Sequence, residues 1–138
     1  GKPHQGLVHL RRLCELNPRS TLAWNNRLMA AVDSGQQEEA RAAFVKLRQL
    51  VPKAVLPAMN YCLLLMRLGK FTKGRMLMEE VVAKQPENVR ALKQLAICLI
   101  EENRRKEARA ALLKVLALNP KDEDARKLVT ATGAPLTH

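Results

Sequence analysis

Residues 52–86, PKAVLPAMNYCLLLMRLGKFTKGRMLMEEVVAKQP, contain one full cycle of the pattern that sets the architecture. Proline stands at both ends, and the 34-residue step from Pro52 to Pro86 repeats outward to Pro18 and Pro120. A fixed period of this size marks a stack of helix–turn–helix units, none of which can bury its apolar face alone. Inside the stretch, Gly74, Met78 and Val81 follow the i, i+4, i+7 spacing of an amphipathic helix. Ala40, Phe44 and Leu47 fill the same slots one period earlier, and Ala108, Leu112 and Val115 one period later. A preceding helix in each unit carries Trp24, Leu28 and Ala31, then Ala58, Cys62 and Leu65, then Leu92, Ala96 and Leu99. Between the two helices stand Ser34-Gly35, Leu68-Gly69 and Glu102-Asn103. Gly and Asn tolerate the positive φ that a helix C-terminus requires. Each proline then closes its unit, because it cannot donate the backbone bond of a continuing helix.

The spacing predicts complete units over 21–54, 55–88 and 89–122, all within one domain spanning 1–138. Residues 6–20 read as the second helix of an earlier unit, with Leu10 and Leu13 in the slots of Phe44 and Leu47. Residues 123–131 read as a capping first helix that ends near Gly133-Ala134-Pro135. Starting in mid-repeat, the chain is expected to be an excerpt of a longer protein.

The period, Trp24 at the start of a first helix, Gly35 and Gly69 in the turns, Ala40 and Ala108 with Phe44, and the closing prolines resemble the tetratricopeptide repeats. The resemblance covers roughly residues 6–130. It departs at Ala58 and Leu92 in the tryptophan slot, and at Leu28, Cys62 and Ala96 where the family's first helix usually has glycine. The resemblance implies an all-α solenoid of helical hairpins wound as a right-handed superhelix. It also implies a concave groove, lined by first helices, that receives a peptide or helix of a partner.

Carried onto this sequence, the groove corresponds to Leu22, Asn25, Asn26, Met29 and Val32, then Leu56, Met59, Asn60, Leu63 and Met66, then Arg90, Lys93, Gln94, Ile97 and Ile100. Three pairs at one register, Met29/Val32, Leu63/Met66 and Ile97/Ile100, lie three residues apart and so share a helical face. They form an apolar strip that is either open to a partner or covered by the protein itself. Some chaperone-binding members of the family hold a C-terminal carboxylate with a set of Lys, Asn and Arg side chains. Here Asn60 and Arg90 fit that set, while Asn25, Met29 and Gln94 stand where Lys, Asn and Arg are expected, too few matches for a tight carboxylate clamp.

The net charge of +11 and pI near 10.1 favour acidic partners. Arg41, Arg75 and Arg109 recur at the unit spacing as a basic ridge or a solvated helix face. Two functions follow. The first is a protein-interaction scaffold that binds a peptide or amphipathic helix, acidic if the charge is used. The alternative is a basic solenoid that binds RNA or an anionic polysaccharide. Aromatic residues make up only 3% of the chain, and base recognition needs stacking aromatics, which favours protein binding.

Nothing points to catalysis or to a cofactor. There is no Gly-rich phosphate loop, nucleophile elbow or His-Glu-x-x-His motif. His4, His9 and Cys14 are five apart, a spacing that does not stack on one helical face, so no metal site is expected, and His138 stands far from them. Cys14, Cys62 and Cys98 read as buried thiols of a reducing compartment, with a disulfide or reactive thiol as the alternative. That usage favours the cytoplasm over the periplasm. No run of about 18 apolar residues is present to insert in a membrane.

Overall fold

A residue that precedes proline is pushed out of the helical region by the proline ring, and this one clash ends three helices in the same way. In the computed structural model, which describes residues 3–133 and side chains from Gly6 onward, Val51 (φ −137°), Gln85 (−133°) and Asn119 (−143°) have all left the helical region. Each proline then occupies the second place of a turn, where its fixed φ is favoured. The turns close with N–H donors of Ser20, Ala54, Asn88 and Asp122 to the carbonyls of Asn17, Val51, Gln85 and Asn119, at 3.0–3.1 Å.

The residue that closes the turn also starts the next helix. Ser20, Asn88 and Asp122 each accept the backbone N–H three residues on, at 3.0–3.2 Å, as N-caps. Ala54 has the same place before α4 of the middle repeat (Leu56–Arg67) and no side chain for it; that helix starts with Pro57 in its first turn instead. At the other ends, Gly35 (φ 72°), Gly69 (76°) and Asn103 (62°) supply the left-handed residue, all at one register of the repeat.

Eight helices result among the described residues: α1 (Pro3–Leu16), α2 (Thr21–Ser34), α3 (Gln37–Leu50), α4 (Leu56–Arg67), α5 (Phe71–Lys84), α6 (Val89–Glu101), α7 (Arg105–Leu118) and α8 (Glu123–Ala131). The fold is all-α, built of helical hairpins. The chain divides into two compact units, the first through Leu68 and the second from Gly69, so the division falls in the turn of the middle repeat.

In the first unit α2 packs on α1, α3 and α4, and α3 also packs on α4. The stripes seen in the sequence form its core: Leu28 and Ala31 of α2, Ala40, Phe44 and Leu47 of α3, and Cys62 and Leu65 of α4 are all buried. Phe44 and Tyr61 stack with ring centroids 5.0 Å apart. Glu39 ties three helices, accepting from Arg11 of α1 at 2.7 Å and from Arg27 of α2 at 3.0 Å. One expectation is corrected in α1. Leu7 and Cys14 are its buried side chains, and Leu10 and Leu13 are only half-buried.

In the second unit α6 packs on α5, α7 and α8. Its core joins Leu92, Ala96 and Leu99 to Ala108, Leu112 and Val115, and Ala125 and Val129 of α8 close it. Gly74, Met78 and Val81 of α5 are buried, as their spacing predicts. Glu102 accepts from Thr72 at 2.9 Å and from Arg75 at 2.5 Å, bridging α5 to the end of α6. All three cysteines are buried, and none is in a disulfide. His138, Ala134-Pro135 and the side chain of His4 lie outside the described residues.

Candidate partner-binding face

On α2 the inner-face residues run Leu22, Asn25, Met29, Val32. Leu22 is 70% exposed and Met29 37%, Asn25 is half-buried, and Asn26 beside them is exposed. Val32 differs: at 1% exposure it belongs to the core, so the expected Met29/Val32 pair offers only its methionine. The Val32 carbonyl accepts from Arg67 Nη1 at 2.8 Å, which locks the end of α4 onto the end of α2.

The neighbouring α4 presents Leu56, 51% exposed, with Asn60, Leu63 and Met66 half-buried. Met59 is corrected to a core position, at 6% exposure. The first unit thus assembles Leu22, Asn25, Met29, Leu56, Leu63 and Met66 with Asn26 and Asn60 on two adjoining helices. None of these side chains is charged. Apolar side chains there supply burial for a ligand, and the carboxamides each offer both a donor and an acceptor.

The second unit arranges its share differently. Arg90 is exposed. Lys93 is held by Asp122 at 2.9 Å. The Asp122 carboxyl is held below the usual carboxylate range, first by the Ala125 N–H that it caps and then by the Lys93 ammonium. Gln94 is 5% exposed, a buried residue where the sequence suggests a surface contact. Ile97 is half-buried, and Ile100, also half-buried, packs against the core of its unit. The Lys93–Asp122 pair was not read from the sequence, though a signal for it existed. Asp122 stands 34 residues after Asn88 in the N-cap slot of α8, adjoining α6.

The three arginines of the basic ridge have unlike surroundings. Arg75 is engaged by Glu102 and by Glu79 at 2.8 Å, and its side chain is 16% exposed. Arg109 is half-buried. Arg41 is exposed and forms no ion pair among the described residues. Burial pushes the Cys14 thiol up, against a hydrogen bond and charge from Arg27. Among the described residues no group of three His, Cys, Asp or Glu side chains could hold a metal ion. Among the described residues no helix is long and apolar enough to cross a membrane.

Residues 65–131 match the family model for the tetratricopeptide repeat. These are tetratricopeptide repeats. Solved tetratricopeptide-repeat structures share the fold. MamA residues 41 to the end, from Desulfovibrio magneticus RS-1, is 18% identical with a TM-score of 0.83, covering 96% of this chain and 75% of that one. YrrB, described as a tetratricopeptide-repeat protein with an unusual peptide-binding site, is 18% identical with a TM-score of 0.77, covering 94% and 67%. The first such domain of Spaghetti (RPAP3), bound to the HSP90 peptide SRMEEVD, is 18% identical with a TM-score of 0.76, covering 82% and 90%. At these identities the likeness concerns the tetratricopeptide-repeat fold. No curated protein matches the sequence.

Proposed function

We propose that this tetratricopeptide-repeat chain is a protein-interaction module without catalytic function, and that it takes a peptide or helix of its partner on the inner faces of α2 and α4. The observation that carries this reading is the uncharged face of the first unit. Leu22, Met29, Leu56, Leu63 and Met66 remain wholly or partly open to solvent beside Asn25, Asn26 and Asn60. Surface residues of this apolar character, grouped on adjoining helices, are the usual mark of an interaction site. Methionines suit varied ligands because they are flexible and polarizable. The peptide complex described for the Spaghetti (RPAP3) domain supports the same reading.

Twelve-residue peptides selected by display on the immobilised chain test the proposal. Leu63→Glu should abolish capture with helicity unchanged, because an apolar ligand would desolvate the new carboxylate without pairing it. Reversal of Arg41, Arg75 and Arg109 to Glu should slow association at low salt at most. Tolerance at Leu63 with loss on arginine reversal would overturn the inner-face reading in favour of an acidic ligand, peptide or polymer, on the basic surface.

A further inference from the structure

The stripe of α3 opposite its core face is the part of the first unit that the proposed inner-face site leaves unused. Glu38, Ala42, Val45 and Gln49 run along it. At about 100° per residue, Arg41 and Lys46 fall on its two margins, roughly 140° apart around the helix. With Trp24 of α2, these six residues line an open cavity of about 410 Å³.

Its aromatic wall is fixed. The Trp24 indole Nε1–H donates to the Pro18 carbonyl at 2.8 Å, and the Arg27 guanidinium lies over the ring, 5.0 Å from its centroid. Its cations are uncommitted: neither Arg41 nor Lys46 enters a hydrogen bond or ion pair among the described residues. By contrast Arg11 and Arg27 of the same unit are both satisfied by Glu39. Nor is any carboxylate near in sequence on the C-terminal side. From Ala40 to Leu68 the unit carries Arg41, Lys46, Arg48, Lys53 and Arg67 and no Asp or Glu. Val45, 44% exposed, supplies an apolar floor between the charges.

We propose that this cavity is a second docking site, separate from the inner face, for an acidic peptide segment. An aliphatic side chain of the peptide seats against Trp24 and Val45, and flanking carboxylates meet Arg41 and Lys46. The stripe from Glu38 to Gln49 is about 16 Å long at 1.5 Å per residue, the reach of about five extended residues. Glu38 at its N-terminal end repels a carboxylate there and confines the acidic groups to the span of Arg41 and Lys46. A protein ligand is favoured over RNA. One face of Trp24 is already covered by Arg27, its N–H is spent on Pro18, and Tyr61 is stacked inside the core on Phe44. Little aromatic surface is left for base stacking.

Trp24 is the sole tryptophan of the chain, so the site contains its own reporter. The test titrates the full chain with the probe acetyl-EELEELEEL-amide at about 20 mM salt, where surface charges are weakly screened. Trp24 emission and the chemical shift of its indole N–H are followed together. A saturable change in both is expected, weakened at least tenfold by the double variant Arg41→Glu/Lys46→Glu and largely retained in Arg41→Lys. Circular dichroism of each variant confirms folding. Leu63→Glu should leave the titration unchanged, so the inner-face reading and this one fail separately. Absence of any Trp24 response overturns the proposal. So does equal binding by the charge-reversed variant, equal response to acetyl-KKLKKLKKL-amide, or a response to oligouridylate in place of the acidic peptide.

Discussion

Truncating Leu47 to alanine tests the repeat register, because its equivalent one period earlier, Leu13, supplies a control of identical chemistry. Leu47 has no solvent exposure and sits in α3 among Leu28, Ala31 and Phe44 of the first-unit core. Removing its three outer carbons costs their transfer from water plus a cavity that the packed helices can only partly close. Together these come to about 3 kcal/mol, within the observed range of 2–5 for buried leucine. Leu13 is only half-buried, so its truncation removes less buried surface and costs about 1 kcal/mol. The assay is urea unfolding followed by Trp24 fluorescence, which reports on the same unit, beside far-ultraviolet circular dichroism for total helix. Leu47→Ala should lower the fluorescence midpoint clearly, and Leu13→Ala by no more than a third as much. Equal costs at the two sites, or a change below about 0.5 kcal/mol at Leu47, would refute the burial argument and with it the placement of α3 against α2.

Gly35→Ala should destabilise by about 1 kcal/mol in the same unfolding assay, since φ 72° is a left-handed conformation that a Cβ opposes. Asn103→Gly, at the equivalent site with φ 62°, should be neutral or slightly stabilising. Asp122→Ala removes an N-cap and the partner of Lys93 and should lower the unfolding midpoint in the same assay. Because folding lowers the Asp122 pKa, its contribution is complete above the unfolded carboxylate range and drains away as pH falls through the folded pKa. Asp122→Asn, which can keep the cap, should therefore lose less stability than wild type on acidification, as measured by unfolding at pH 7 and at acid pH. Glu39→Gln leaves Arg11 and Arg27 without their shared carboxylate and should cost about 1 kcal/mol, less at high salt.

What the chain by itself determined was everything that depends on neighbours a few residues away. Prolines every 34 residues end helices by a clash with the residue before them, and Gly35, Gly69 and Asn103 turn the chain at a single register. The apolar stripes at i, i+4, i+7 state which side of each helix is buried, and Ala40, Phe44 and Leu47 are buried as that spacing requires. Ser20, Asn88 and Asp122, the N-caps seen in the structure, stand at the same 34-residue spacing. What stands opposite each face was decided only in three dimensions. Val32, Met59 and Gln94 share the inner-face register yet are buried, while Leu10 and Leu13 share a core register yet stay half-open. Arg41, Arg75 and Arg109 are identical in the repeat and different in their surroundings, since Arg75 meets Glu102 across a helix pair and Arg41 meets no carboxylate. Periodicity assigns a side chain its direction from the helix axis. Its exposure and its ion-pair partners depend on the element packed across from it, often about 30 residues away, and local spacing carries no record of that.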